Sequence, residues 1–364
     1  MKILFHLGHP AHFHLFKNVI KYLRIDSHKT IIVIKKKDVL EDLLINQKID
    51  FLNILPAGRK SNKFSIALGL LKQDFGLFNI VKKEKPNLLV GTSVPITHVG
   101  RILNIASINV NEDDIKAIPF YAKLAYPFAS TILAPVVCNV GKWEEKTVLY
   151  SGYHELSYLH PKQFSPDEII AKKYVDLEKP YFLLRFAKLS AHHDVGIKGL
   201  SDDIALKLIK RLQNFGKIFI TSERPLGKML EAYRIKINPI DIHHVMAFAS
   251  LYIGDSQTMA AESGVLGVPF IRFNDFVGRI GYLNELENKY KLGYGIKTNE
   301  VDKLFKTVDG LLRMPNRKEI FQERRRKMLS EKIDYAAFLT WFIENYPESA
   351  KIMKENPDYQ YRFK

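Results

Sequence analysis

The chain has 364 residues, 46% of them hydrophobic, with 55 Lys and Arg against 39 Asp and Glu for a formal charge of +16. That length suggests two domains, and a single cysteine, Cys138, excludes a disulfide framework or a thiolate zinc site within one chain and suits a reducing, cytoplasmic setting. No window approaches the roughly 18 apolar residues of a membrane span, the opening apolar run is too short for a signal-peptide core, and the basic excess asks for an anionic partner that, without a zinc-finger, RNP or helix-turn-helix signature, is expected not to be nucleic acid.

Apolar runs of strand length alternate with segments of helical period from the first residue. KILFHL, TIIVIK, FLNIL, NLLVGT, SINVN and STILAP read as strands, with helices such as HLFKNVIKYL and FSIALGLLKQDFGLFNIVKKEK between them. Such alternation predicts a parallel sheet covered on both faces. The rhythm breaks over residues 142–180, rich in Gly, Pro, Tyr and charge, and the domain junction is expected there. A second alternation follows: PYFLLRF, GKIFIT, YRIKIN, SLYIGD, VPFIRF and LGYGIK as strands, and SDDIALKLIKRLQNF, IDIHHVMAFA and QTMAAESGVLG as helices. Ser201 before two acids is the clearest helix start. From about Val301 the tail reads as three amphipathic helical pieces. The expected fold is therefore α/β, two Rossmann-like doubly wound domains at 1–150 and 151–330 facing a central cleft, with a helical tail at 331–364.

The most informative stretch is LYIGDSQTMAAESGVLGVPFIRF, where a buried strand ending at Gly254 runs through Asp255 and Ser256 straight into a helix. Such a junction offers free backbone N–H groups, the hydroxyls of Ser256 and Thr258 and a positive helix end to a phosphate. Glu262, one to two turns further on, suits the vicinal hydroxyls of a ribose.

DSQTMAAESGVLGVP resembles the D-S-G-x-x-x-E-A-x-x-L-G-x-P pattern that holds the diphosphate and ribose in GT-B-fold sugar-nucleotide enzymes. With HPAHFHLFKN, NEDD, GYHELSYLHPKQFSPD and IDIHHVMAFASLYIGDSQTM, the chain resembles an uncharacterised prokaryotic GT-B-like family related to the UDP-GlcNAc 2-epimerases and glycosyltransferases, from Met1 to about Pro269. Two positions depart from the pattern: Gln257 stands for the glycine that lets a phosphate approach, and Ser263 stands for the alanine after the acid. The resemblance implies donor binding by Arg185, His243, Ser256, Gln257, Thr258 and Glu262, with the base near Ile240 and His243 and the phosphates on Arg185. Ser222, Glu223 and Arg224 are secondary candidates, and Lys188, His192, His193 and Asp194 occupy the loop after Arg185.

Four histidines, His6, His9, His12 and His14, fall within nine positions at the N-terminus. His9, His12 and His14 form H-x-x-H-x-H, but residues two apart at a helix start point in different directions, so no metal is expected. The resemblance instead sets His12 at the acceptor or the departing phosphate. An acceptor hydroxyl needs a general base; the candidates are His12, His14, Glu112 and Asp113, with His12 as the base and Glu112 or Asp113 orienting it or sharing the role. The expected activity is metal-independent, cofactor-free transfer of a sugar from a nucleotide donor, UDP-linked, to a hydroxyl of a surface-glycan or lipid-linked acceptor. A UDP-N-acetylhexosamine 2-epimerase is the rival, although the opening loop lacks G-T-R-P-E, and a catalytically silent nucleotide-sugar-binding protein is the third reading. IPFYAKLAYPFASTIL, with Phe120, Tyr121, Tyr126 and Phe128 beside Lys116 and Lys123, suggests a peripheral contact with an anionic membrane on its cytoplasmic face.

Overall fold

A computed structural model describes residues 1–36, 39–56, 63–188 and 198–364. Contacts divide it into two units, residues 1–163 with 332–364, and residues 164–331.

The first unit holds β1 (Lys2–Leu7), β2 (Lys29–Ile34), β3 (Leu52–Asn53), β4 (Leu88–Gly91), β5 (Ala106–Val110), β6 (Thr131–Pro135) and β7 (Thr147–Tyr150). Its helices are α1 (Pro10–Ile25), α2 (Leu40–Asn46), α3 (Lys63–Glu84), α4 (Val94–Leu103), α5 (Pro119–Ala125) and the single turn α6 (Leu156–Leu159). The seven strands are all parallel in the order β3-β2-β1-β4-β5-β6-β7. Residues 3–5 and 7 of β1 and all of β4 are buried, as expected for strands covered by helices on both faces. The chain order reverses between β1 and β4, which therefore form the switch point of this sheet. Gly91 pairs with His6 there, and a Cβ at Gly91 would lie 2.7 Å from the His6 carbonyl oxygen.

The second unit holds α7 (Glu168–Lys172), β8 (Tyr181–Phe186), α8 (Asp202–Leu212), β9 (Lys217–Ser222), α9 (Lys228–Glu231), α10 (Ile242–Ala247), β10 (Leu251–Gly254), α11 (Gln257–Val265), β11 (Phe270–Phe273), α12 (Gly281–Asn284), β12 (Gly293–Ile296), α13 (Val301–Arg313) and α14 (Arg317–Glu331). Its five strands are again all parallel, in the order β12-β11-β10-β8-β9, with the reversal between β8 and β10. Ser201 caps α8 by accepting from the Ile204 N–H, ahead of Asp202 and Asp203. The expected strand YRIKIN does not form. It makes one bridge, Ile220 to Arg234, and its residues are half-buried or exposed, so the alternation has no covered face to sit on.

After α14 the chain returns to the first unit with α15 (Tyr335–Glu344) and α16 (Glu348–Glu355). The α15 helix packs on α1 and α6. Tyr335 stacks on Tyr150 at 4.1 Å between centroids, and Phe338 meets Tyr150, Trp341, Phe342 and Phe363. The Ile333 N–H donates to the Ser151 carbonyl at 3.0 Å, fixing the return beside the end of β7.

Gly91→Ala is expected to force β4 away from β1 and to lower stability by about 1–3 kcal/mol, the usual cost of overpacking. Chemical denaturation of the full chain measures it.

Candidate functional site

In a sheet whose strands are all parallel, the carboxyl ends share one edge, and ligands bind outside them at the switch point. In the second unit that position is held together by Asp255, directly after β10. Its Oδ1 accepts from the Ala187 N–H after β8 (2.6 Å) and its Oδ2 from the Leu200 N–H (3.1 Å). Burial pushes its carboxyl up to about 6, while the two N–H donors pull the other way. Gly199 is required for this approach, since a Cβ there would lie 2.5 Å from Oδ2. Asp255 thus turns into the protein, and the residues left facing outward are Ser256, Gln257 and Thr258, all partly exposed.

Ser256 caps α11 by accepting from the Met259 N–H (3.4 Å). The N–H groups of Gln257 and Thr258, in the first turn, have no intrahelical acceptor by the geometry of a helix. Gln257 is drawn toward β11: its Oε1 accepts from Arg272 Nη1 at 3.4 Å. Arg272 is fully buried and donates through Nε to Glu287 Oε1 at 2.9 Å. Glu262 and His243, expected on separate elements of the donor site, meet each other: His243 Nε2 lies 2.9 Å from Glu262 Oε1, and both are buried. The neighbouring His244 accepts from the Asp167 N–H through Nδ1 and has a structural task.

Arg185 is paired through Nη2 with Glu223 Oε1, whose other oxygen accepts from the Lys188 N–H (2.9 Å). Arg224 donates to Asp202 Oδ1 (3.2 Å) and to the Leu200 carbonyl (2.6 Å), with its guanidinium 4.6 Å over the Phe186 ring. A cavity of about 340 Å³ is lined by Ala187, Lys188, Gly199, Leu200, Arg224 and Asp255. Both arginines are engaged by a carboxylate, but Arg224, secondary in the sequence, lines the cavity and Arg185 does not. His192, His193 and Asp194 lie outside the described residues.

In the first unit the switch point carries histidines. His6 Nδ1 lies 2.5 Å from Ser93 Oγ, joining β1 to the start of α4, and burial first, then Lys35, lowers the imidazole to about 3. His9 caps α1, accepting from the Ala11 N–H through Nδ1. His12 accepts from the Gly8 N–H through Nδ1 at 3.1 Å. Burial, then His9, Lys35, His154 and His6, holds His12 well below 6.5, so it is neutral at pH 7. A neutral ring whose Nδ1 accepts carries its proton on Nε2, and His12 is thereby set to donate to an oxygen. His14 is buried on α1 between the rings of Phe13 and Tyr158.

Glu112 follows β5 and meets His154, which follows β7. Glu112 Oε2 accepts from the His154 N–H at 3.0 Å, and Oε1 lies 3.2 Å from His154 Nδ1. Burial raises Glu112 to about 8 and lowers His154 to about 3, so the pair is neutral and Glu112 keeps its proton. Asp113 turns back through its N–H, which donates to Asn111 Oδ1 (2.9 Å), and its charge raises Glu112 further. His154 was not singled out in the sequence. Its signals were its place after TVLY, a short strand inside the segment read as a junction, and its presence in the motif GYHELSYLHPKQFSPD. Among the described residues no group of three or more His, Cys, Asp or Glu is arranged to hold a metal ion.

Residues 1–336 match the family described as "Protein of unknown function (DUF354)". The chain belongs to this family. No curated protein sequence matches it significantly. Solved structures share the fold of this DUF354 protein at low identity. UDP-GlcNAc 2-epimerase from Neisseria meningitidis, bound to UDP-GlcNAc, is 13% identical with a TM-score of 0.68 over 88% of this chain and 94% of that one. The Methanocaldococcus jannaschii UDP-GlcNAc 2-epimerase, in complex with UDP-GlcNAc and UDP, is 15% identical with a TM-score of 0.64 over 90% and 99%. Spinosyn rhamnosyltransferase SpnG, complexed with spinosyn aglycone, is 12% identical with a TM-score of 0.62 over 95% and 100%. The DUF354 chain is therefore an α/β protein of GT-B-like fold, shared by epimerases and glycosyltransferases.

Two outcomes are expected. Asp255→Ala leaves the Ala187 and Leu200 N–H groups without this acceptor and should cost about 2–6 kcal/mol, at roughly 1–3 kcal/mol for each; denaturant unfolding reads it. Glu112 binds a proton in the folded chain that the unfolded chain releases near its ordinary 4.5, so its contribution is complete below that value and is lost as the pH rises through about 8. Glu112→Gln should flatten that loss. Unfolding followed above about pH 7 isolates it, because His154, lowered to about 3, then adds little slope.

Proposed function

We propose that this protein transfers a sugar from a UDP-sugar to a hydroxyl of a glycan or lipid-linked acceptor. The observation that carries the reading is the buried pair of Glu262, on the helix that Ser256 caps, and His243, on the helix before it. A carboxylate fixed by a histidine and set behind a helix N-terminus suits a ribose beside a diphosphate. Solved structures of the same fold hold UDP or UDP-GlcNAc, which favours a uridine nucleotide here as well.

In this reading the second unit takes the nucleotide, and a general base accepts the proton of the acceptor hydroxyl as its oxygen bonds to the anomeric carbon and the bond from that carbon to the diphosphate breaks. In the first unit Glu112, once deprotonated, has the chemistry of such a base. The helix end and Arg224 receive the charge on the departing diphosphate. His12, a donor through Nε2, suits a hydrogen bond to an acceptor oxygen. Activity is then expected to rise toward about pH 8 with the deprotonation of Glu112.

A second reading, 2-epimerisation of a UDP-N-acetylhexosamine, is favoured by the same Glu112–His154 pair, because a buried group holding a proton near neutral pH also suits exchange of the proton at sugar C2.

Glu262→Gln is expected to weaken UDP binding by about 1–3 kcal/mol, the range for losing a charged hydrogen-bond partner. Calorimetric titration measures it, and unchanged affinity removes the ribose assignment. With UDP-GlcNAc alone in deuterated water, sugar transfer leaves C2 unlabelled, whereas deuterium at C2 selects epimerisation.

A further inference from the structure

Three helices of the first unit turn large apolar side chains outward on adjoining surfaces. On α3, Leu71 and Phe75 are one turn apart and 63% and 70% exposed. On α4, Ile102 is 68% exposed, and on α5 Phe120 is 76% exposed, with Leu124 one turn later and Phe128 just beyond. The inner sides of the same helices are well packed: Val94, Ala122, Ala125 and Tyr126 form a core cluster with Leu70 and Tyr121 against it. The outward residues are therefore not the edge of a loosely folded region.

One side chain ties the three surfaces together. His98 on α4 pairs through Nδ1 with Asp74 of α3 (2.9 Å) and through Nε2 with the Leu124 carbonyl of α5 (2.9 Å), and its ring packs edge-on to Phe128 at 5.1 Å. His98 stands one turn before Ile102, and Asp74 adjoins Phe75 in sequence. Leu71, Phe75, Ile102, Leu124 and Phe128 thus surround a common centre.

Cations follow the same pattern. Lys72 adjoins Leu71, Arg101 adjoins Ile102 and Lys123 adjoins Leu124; all three are exposed, as is Lys116 before α5. The neighbouring acid, Asp74, is engaged by His98. A patch of apolar tips with interleaved cations, in a chain of charge +16, is complementary to acyl chains beneath anionic headgroups. It is poorly complementary to a second copy of itself, which would bring like charges together.

We infer that the face formed by α3, α4 and α5 docks this protein on an anionic lipid bilayer, with Leu71, Phe75, Ile102 and Phe120 entering the headgroup boundary and Lys72, Arg101 and Lys123 meeting lipid phosphates. The Tyr121 and Tyr126 rings, which the sequence grouped with Phe120 and Phe128, do not take part: Tyr126 is buried, and Tyr121 exchanges hydrogen bonds with Asn109. The docking does not depend on the chemistry at the sheet ends.

Flotation of the full chain with phosphatidylcholine vesicles, with and without phosphatidylglycerol, tests it. Binding is expected only with phosphatidylglycerol and should weaken as salt rises. Lys72→Glu with Lys123→Glu should reduce the bound fraction about tenfold or more, and Phe75→Ser with Phe120→Ser should do the same with an unchanged melting curve. Ile102→Ser provides an independent variant if either pair fails to fold. Absence of binding at low salt overturns the proposal, as does full binding by the folded Phe75→Ser, Phe120→Ser chain. A concentration-dependent dimer without vesicles, abolished by those two serines, would assign the face to a second copy and overturn it equally.

Discussion

Parallel pairing of every strand in both sheets is the constraint from which the remaining features descend. It collects all carboxyl ends of a sheet on one edge and forces the chain to change its direction of growth once, at β1/β4 and at β8/β10. At each reversal two loops leave in opposite directions, and the gap between them needs polar groups to close it. The two units solve this differently. Asp255, after β10, bridges the second gap by accepting the Ala187 and Leu200 N–H groups, which lie between β8 and α8, whereas the first is bridged by a neutral histidine and a serine hydroxyl.

That difference sets the electrostatics of each edge. Around Asp255, cationic side chains are held by carboxylates: Arg185 by Glu223, Arg224 by Asp202 and Arg272 by Glu287. Such pairs cost desolvation to bury and are sensitive to a competing anion, since a phosphate offers a guanidinium a better fork than a single carboxylate oxygen. In the first unit, burial keeps His6, His12, His154 and Glu112 uncharged.

Much of this was legible from residue order. Strand-length apolar runs and helix starts gave the α/β class, and the strand, turn and helix around DSQT marked the junction of β10 and α11, because backbone geometry there follows directly from sequence. The direction taken by each polar side chain was not legible. Asp255 and Ser256 are adjacent, yet one turns inward and the other caps a helix, a distinction set by backbone angles and by the space Gly199 leaves. His14 and His12 differ only in which face of α1 they occupy. Arg272 was visible as a lone charge in the buried strand VPFIRF, but its partner Glu287 lies in the separate stretch after α12. Long-range returns were hardest: nothing local in YAAFLTWFIE states that its aromatic side packs on Tyr150.

That return alters the order in which the molecule assembles. The second unit is inserted between two parts of the first, so residues 1–163 emerge from the ribosome lacking the aromatic surface that α15 supplies. The second unit has its entire sheet available as soon as β12 is made and can fold as a complete body, whereas the earlier-synthesised unit stays unfinished until its last helices arrive. During that interval Tyr150 and the faces of α1 and α6 that α15 later covers are open to chaperones and to other nascent chains, so the part of the protein made first is the part completed last.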